Sequence, residues 1–183
     1  MRFDVVIMGG GQAGTAAGVR LLHSGLSCLI VSEGLSLSET SKRQFIALGG
    51  RFLPGDSVLG GEWSQDGRLL GVTTRNLEET LLRADNFILA TGRFFSKGLV
   101  STMDSIYEPV FGCDVRFEQG RSLWCSTDFF APQPFESFGV IVDDGGRVSI
   151  KGHQVPNLFA CGEILEGCQD MDQSIDRVCR SII

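Results

Sequence analysis

The sequence predicts an α/β fold, a parallel sheet with an antiparallel β-meander inserted in it. Three observations carry this. The apolar run Val5 to Met8 leads into Gly9-x-Gly11-x-x-Gly14, and a helical pattern follows from Ala13 to Ser24. Two later apolar runs, Phe87 to Ala90 and Asn157 to Cys161, also end on glycine, at Gly92 and Gly162. Between these landmarks, residues 56 to 86 hold short apolar segments split by turn residues. A strand feeding a glycine turn and a helix is the start of a Rossmann-like dinucleotide-binding domain.

The second strand is Ser27 to Val31, after the loop Ser24-Gly25-Leu26, and it completes a β-α-β unit over residues 3–33. A short helical pattern from Ser41 to Leu48 stops at Gly49-Gly50, and Arg51 to Leu53 supplies a third parallel strand before Pro54-Gly55. The meander is read as Ser57 to Ser64, Arg68 to Arg75 and Thr80 to Arg83, with a turn at Gln65-Asp66-Gly67. Phe87 to Ala90 then returns to the parallel sheet. Residues 93 to 137 are rich in aromatics and lack periodicity, so they carry no assignment. Phe138 to Val142 and Val148 to Ile150 read as a hairpin around Asp143-Asp144-Gly145-Gly146. Asn157 to Cys161 is a buried strand, and Asp172 to Ile182 a terminal helix with Ile175, Val178, Cys179 and Ile182 on one face.

Composition narrows the function. The 183 residues suit one domain spanning 1–183, with 43% hydrophobic and 21% charged residues and 24 glycines. No apolar run reaches the roughly 20 residues of a membrane span, and Val5 to Met8 is too short for a signal peptide, so a cytoplasmic location is expected. The net charge of −6 argues against nucleic acid as a partner. Six cysteines form no C-x-x-C pair and only His23 and His153 accompany them, so neither zinc nor a redox dithiol is expected.

The candidate site is cofactor-binding. Gly9 permits the tight turn, Gly11 lets the backbone approach phosphates, and Gly14 lets the helix pack on the strand. Gln12 and Ala13 begin the helix whose N–H groups and dipole meet the negative charge. Strands ending at Gly9, Gly92 and Gly162 place their turns on one sheet edge, which adds Thr91, Gly92, Gly162 and Glu163. At the end of the second strand the ribose-binding position falls on Ser32, or on Glu33 if the strand ends one residue later. Val58 lies where related folds lay backbone against adenine. Arg93 and Lys97 flank Phe94-Phe95 and read as solvated charges or as contacts to an anionic substrate. Phe94, Phe95, Phe129 and Phe130 read as core or subunit-contact residues. His153 lacks any partner for general-base work, His23 is a helix-surface residue, and no catalytic residue is named.

The meander before Ala90-Thr91-Gly92 is a mark of two-dinucleotide-fold flavoproteins. Asn157-Leu-Phe-Ala-Cys-Gly-Glu163 resembles their late flavin motif, at 157–163 here, whose acid approaches the ribityl hydroxyls. FAD is therefore favoured over NAD, with FMN kept as the alternative. The segments Arg2 to Gly11, Leu82 to Leu99, Glu108 to Val115 and Asp128 to Pro134 resemble the B-type subunit of anaerobic glycerol-3-phosphate dehydrogenase. The resemblance runs from residue 1 to about 165. It implies a flavoprotein that works beside a catalytic flavin subunit and an iron–sulfur subunit. It also implies oxidation of sn-glycerol 3-phosphate, a small phosphorylated substrate, to dihydroxyacetone phosphate, with electrons passed toward quinone. Membrane contact would be indirect, at the periphery of the inner membrane through those partners. Members of that family are longer, with a substrate-side domain after the second strand. Here Val31 to Ser41 bridges directly past it, and the glycine-rich loop after Gly167 is altered. A chain without that covering domain leaves a flavin ring open to water. A non-catalytic nucleotide-binding scaffold is the alternative.

Overall fold

The computed structural model describes residues 2–34, 39–78 and 80–183. The bridge read at Val31 to Ser41 therefore lies partly outside the described residues, at 35–38. In chain order the fold opens with β1 (Arg2–Met8), α1 (Gln12–His23), β2 (Cys28–Ser32), α2 (Glu39–Ala47) and β3 (Arg51–Pro54). Next come the meander strands β4 (Val58–Trp63) and β5 (Leu69–Thr74), then the long β6 (Leu82–Leu89). Short pieces follow: β7 (Val100–Ser101), β8 (Ile106–Tyr107), β9 (Val115–Arg116) and β10 (Gly139–Val140). The chain ends with β11 (Arg147–Ile150), β12 (His153–Ala160) and α3 (Met171–Ile182).

The main sheet runs in the order β11-β12-β6-β1-β2-β3. β12, β6, β1, β2 and β3 are mutually parallel. β1 sits mid-sheet, and Val5, Val6 and Ile7 are sealed from solvent, as expected of a strand covered on both faces. Val5 and Ile7 face a core shared with Ala17 and Leu21 of α1 and with Ile175 and Val178 of α3. Val6 and Met8 face the opposite core, with Trp124, Phe138, Val140 and Leu165. Phe45 of α2 joins the first core, so three helices cover one face and the irregular aromatic segment covers the other. Arg20 of α1 pairs with Asp172 and Asp176 of α3, fixing the two helices side by side.

The structure differs from the sequence reading in two elements. The Thr80–Arg83 and Phe87–Ala90 runs are a single strand, β6. Its first half pairs antiparallel with β5, through Gly71 with Arg83, while its second half pairs parallel with β12, through Leu158 with Phe87. The polar Asp85-Asn86 between the runs suggests a break, yet these residues stay in the ladder because β1 continues alongside. Asn157 fills the point where β5 gives way to β12. Its amide donates to the Leu69 and Asp85 carbonyls, both at 2.9 Å, and accepts from Leu69 N–H at 3.0 Å. The second difference is the 138–150 hairpin: β10 pairs with β9 and β11 with β12, and one Val142–Val148 bridge joins the two arms.

The unassigned segment is held by side chains bonded to backbone. Buried Glu108 accepts from the N–H groups of Val110, Phe111, Gly112 and Cys113 at 2.8 to 3.3 Å. Trp124, Phe117 and Phe138 meet edge to face above the sheet. Among the described residues, no helix is long and apolar enough to cross a membrane.

Candidate functional site

The strand register brings the predicted turns into one row. Met8 aligns with Val31 of β2 and Leu89 of β6, and Leu89 aligns with Ala160 of β12. Gly9, Ala90 and Cys161 therefore follow their strands at one edge, beside Ser32, the last residue of β2. Gly9 N–H donates to Val31 O at 2.8 Å, and Ala90 N–H to Met8 O at 2.8 Å, so the row is tightly laced. Gly9 has φ +111°, and a methyl there would overlap the Ala90 carbonyl. A methyl on Gly14 would overlap the Gly9 carbonyl, so the helix rests directly on the turn. Gly11 is different: it is at φ −75° with open space where a side chain would stand. The α1 N-terminus has no side-chain cap and no acid in its first turn. Its N–H groups at Gln12, Ala13 and Gly14 face an anion's natural position.

The late motif meets this turn directly. Gly162, at φ +81°, lies so close to Ala13 that a methyl on it would press on the Ala13 Cβ. Ser174 of α3 accepts from Gly162 N–H at 3.0 Å and donates to Met171 O at 2.7 Å, tying the turn to the helix start. Glu163 is exposed on the one-turn helix that follows. Arg93 is neither a solvated charge nor a free anion contact. Its guanidinium donates to the backbone carbonyls of Glu163 at 2.5 Å, Leu165 at 3.4 Å and Glu136. No sequence signal marks such a clamp, since an arginine after a glycine turn is common on surfaces.

The end of β2 resolves into two environments. Ser32 is buried, with its hydroxyl donating to Gly34 O at 3.0 Å, and it lies against Gly10. Glu33 is exposed and sits between Arg75 at 3.5 Å and Lys97 at 3.3 Å. Lys97 thus joins the loop after β6 to the end of β2. Val58 opens β4 as a half-buried residue paired with Thr74. Thr91 and Gly92 follow β6, with Gly92 at φ +72°. Among the described residues, three buried side-chain oxygens lack any hydrogen-bond partner: Asp56 Oδ2, Ser57 Oγ and Thr91 Oγ1. All three follow the carboxyl ends of parallel strands, β3 and β6. The sequence does not single out Asp56 and Ser57, because a polar pair after Pro-Gly looks like an ordinary turn.

Other residues stand apart from this edge. His153 is exposed at the opposite end of β12, roughly 23 Å from Ala160 at about 3.3 Å per residue. His23 is exposed at the far end of α1. Among the described residues no group of three His, Cys, Asp or Glu side chains is placed to hold a metal. Cys28, Cys113, Cys161 and Cys179 are buried, Cys168 is half-buried and Cys125 exposed. Phe94 packs on Phe135, while Phe95, Phe129 and Phe130 are fully exposed. A hollow of about 420 Å³ lies beyond Leu165, lined by Val140, Cys168, Gln173 and Arg177, away from the glycine turn.

An uncapped helix N-terminus, an open Gly11 and unpartnered oxygens along one sheet edge suit a ligand with a diphosphate and polar groups at both ends. A family model described as "FAD binding domain" matches residues 34–174. The chain belongs to the FAD binding domain family. Its cofactor is FAD, and the donors along the edge fit that molecule. This FAD-binding chain is 40% identical over 136 residues to the B-type subunit of anaerobic glycerol-3-phosphate dehydrogenase from Vibrio vulnificus strain YJ016, covering 73% of this chain and 31% of that protein. It is 42% identical over 134 residues to the corresponding subunit of Pectobacterium atrosepticum, with 73% and 31% covered. The chain spans about a third of the length of the curated relatives it matches. Two solved structures share the fold across 99% of the FAD-binding chain at 13% identity. They are thioredoxin reductases from T. acidophilum, with TM-score 0.55 and 96% of that chain covered, and from Gloeobacter violaceus, with 0.56 and 93%. The α/β fold class read from the sequence is therefore correct.

Proposed function

We propose that this chain is the FAD-holding part of an anaerobic glycerol-3-phosphate dehydrogenase-type oxidoreductase. The observation that carries the reading is the identity of 40 to 42% with the B-type subunit of that enzyme over nearly three quarters of the chain. The reaction is oxidation of sn-glycerol 3-phosphate to dihydroxyacetone phosphate, with electrons passed toward quinone. Its partners are a catalytic flavin subunit and an iron–sulfur subunit, so any membrane contact is indirect.

Within this reading the residues divide along the sheet edge. The amides of Gly11, Gln12, Ala13 and Gly14 hold the diphosphate, with Gly9 setting the turn. Ser32, Glu33 and Val58 border the adenosine half. Thr91 and Gly92 line the middle, and Gly162 and Glu163 approach the ribityl chain. FAD, when bound, supplies a two-electron acceptor for alcohol oxidation. The chain's own residues bind and orient it.

The purified chain tests this. A flavin spectrum, FAD released on denaturation, and bleaching of that spectrum by sn-glycerol 3-phosphate when partner subunits are added support the proposal. Bound FAD that stays oxidised with substrate and partners present overturns the dehydrogenase assignment. A second reading, a non-catalytic nucleotide-binding scaffold, draws on the fully exposed Phe95, Phe129 and Phe130. It predicts a stable complex with the partner subunits and no bleaching.

A further inference from the structure

We infer that Asp56 recognises the adenosine half of the cofactor, accepting a hydrogen bond from its 6-amino group or its ribose 2′-hydroxyl. This rests on the FAD reading above and adds a residue to it. Asp56 is 0% exposed. One carboxylate oxygen is fully occupied, accepting from Ser57 N–H at 2.8 Å and Asn76 N–H at 3.0 Å. The other, Oδ2, has no partner, and neither does the adjacent Ser57 hydroxyl. A buried carboxyl oxygen without a donor is costly, and a bound donor removes that cost.

The position fits the adenosine half. The diphosphate turn ends β1, and the strand order β1-β2-β3 places Asp56 two strands away along the same edge. Strand spacing makes that roughly 10 Å, within reach of a nucleoside attached to the diphosphate. Asp56 N–H donates to Ser32 O at 3.3 Å, so the carboxylate's backbone adjoins the end of β2 itself. Glu33, the acid that spacing first suggests for this work, is held by Arg75 and Lys97. Glu33 is also exposed, whereas Asp56 is, among the described residues, the buried carboxylate at that end. An acceptor there favours a ligand that donates and disfavours one that presents a carbonyl.

The test is a titration of the full chain with ADP, inosine 5′-diphosphate, 2′-deoxy-ADP and FMN. Wild-type protein is expected to bind ADP at least roughly tenfold more tightly than one of the two altered diphosphates. Weak inosine diphosphate binding identifies the 6-amino group as donor, and weak 2′-deoxy-ADP binding the 2′-hydroxyl. Asp56→Asn retains the oxygen that accepts from Ser57 and Asn76 while turning Oδ2 into a donor. It is expected to lose ADP affinity, narrow or reverse that preference, and leave FMN affinity unchanged. Asp66→Asn, in the exposed β4–β5 turn, serves as the unaltered control. Equal wild-type affinity for all three diphosphates overturns the proposal even if Asp56→Asn does not fold. So does an Asp56→Asn protein with wild-type preference, while FAD binding itself stands. Wild-type protein that binds neither FAD nor ADP overturns both readings.

Discussion

Arg93 donates from Nε to the Glu163 carbonyl oxygen at 2.5 Å, joining the turn after β6 to the turn after β12. Those turns follow neighbouring strands at the carboxyl edge of the sheet. A lysine in this place has one ammonium and cannot reach three carbonyls in different directions. Arg93→Lys is therefore expected to lower stability by about 1–2 kcal/mol and to weaken FAD binding by roughly tenfold as Glu163 loses its fixed position. Thermal melts with and without FAD measure both. A variant that loses stability but keeps full FAD affinity would show that the clamp serves the fold alone.

Asn157 substitutes for a stretch of strand pairing at the β5–β12 junction. Asn157→Ala leaves Leu69 N–H and the carbonyls of Leu69 and Asp85 without their partner in a buried setting. The expected loss is about 2–4 kcal/mol. Asn157→Asp is expected to lose more, because a carboxylate there faces two carbonyls it cannot donate to. Urea unfolding orders the three proteins, and an Asp variant as stable as wild type contradicts the assigned contacts.

Burial pushes the thiols of Cys28 and Cys161 up to about 12 and that of Cys179 up to about 11, from an ordinary 9.0. Their folded-state affinity for the proton exceeds that of the unfolded chain. The stability this gives is fully present below pH 9 and is lost as pH rises toward 11 to 12. Denaturation midpoints should fall steadily above about pH 9. A thiol reagent at neutral pH should label exposed Cys125 quickly and these three only on unfolding. Rapid labelling of all three in the folded protein contradicts their placement.

Much of this edge is legible in the sequence because its elements are local. Val5 to Met8 with three spaced glycines specifies strand, turn and helix in one short stretch, and Asn157 to Glu163 repeats the strand-turn logic. The continuity of β6 is hidden because Asp85 and Asn86 look like turn residues. Only the neighbouring β1, far earlier in the chain, keeps them in the ladder. Residues 93 to 137 show no pattern since their order comes from Glu108, Gln133 and Trp124 bonding particular backbone groups. Such contacts follow no period. The same holds for Arg93 and Asp56, which bond backbone groups far along the chain, at Glu163 and Asn76.

The proposed grip of the β1–α1 turn on the FAD diphosphate is the central claim for this edge, and Gly11 separates that grip from folding. A methyl on Gly14 collides with the Gly9 carbonyl, whereas a methyl on Gly11 meets nothing among the described residues. The deciding experiment is FAD titration of wild type and Gly11→Ala alongside their melting temperatures. Wild type should bind FAD. Gly11→Ala should keep its melting temperature within about 4 °C and lose at least roughly tenfold in FAD affinity. A Gly11→Ala protein that binds FAD as tightly as wild type would remove the turn as the diphosphate site.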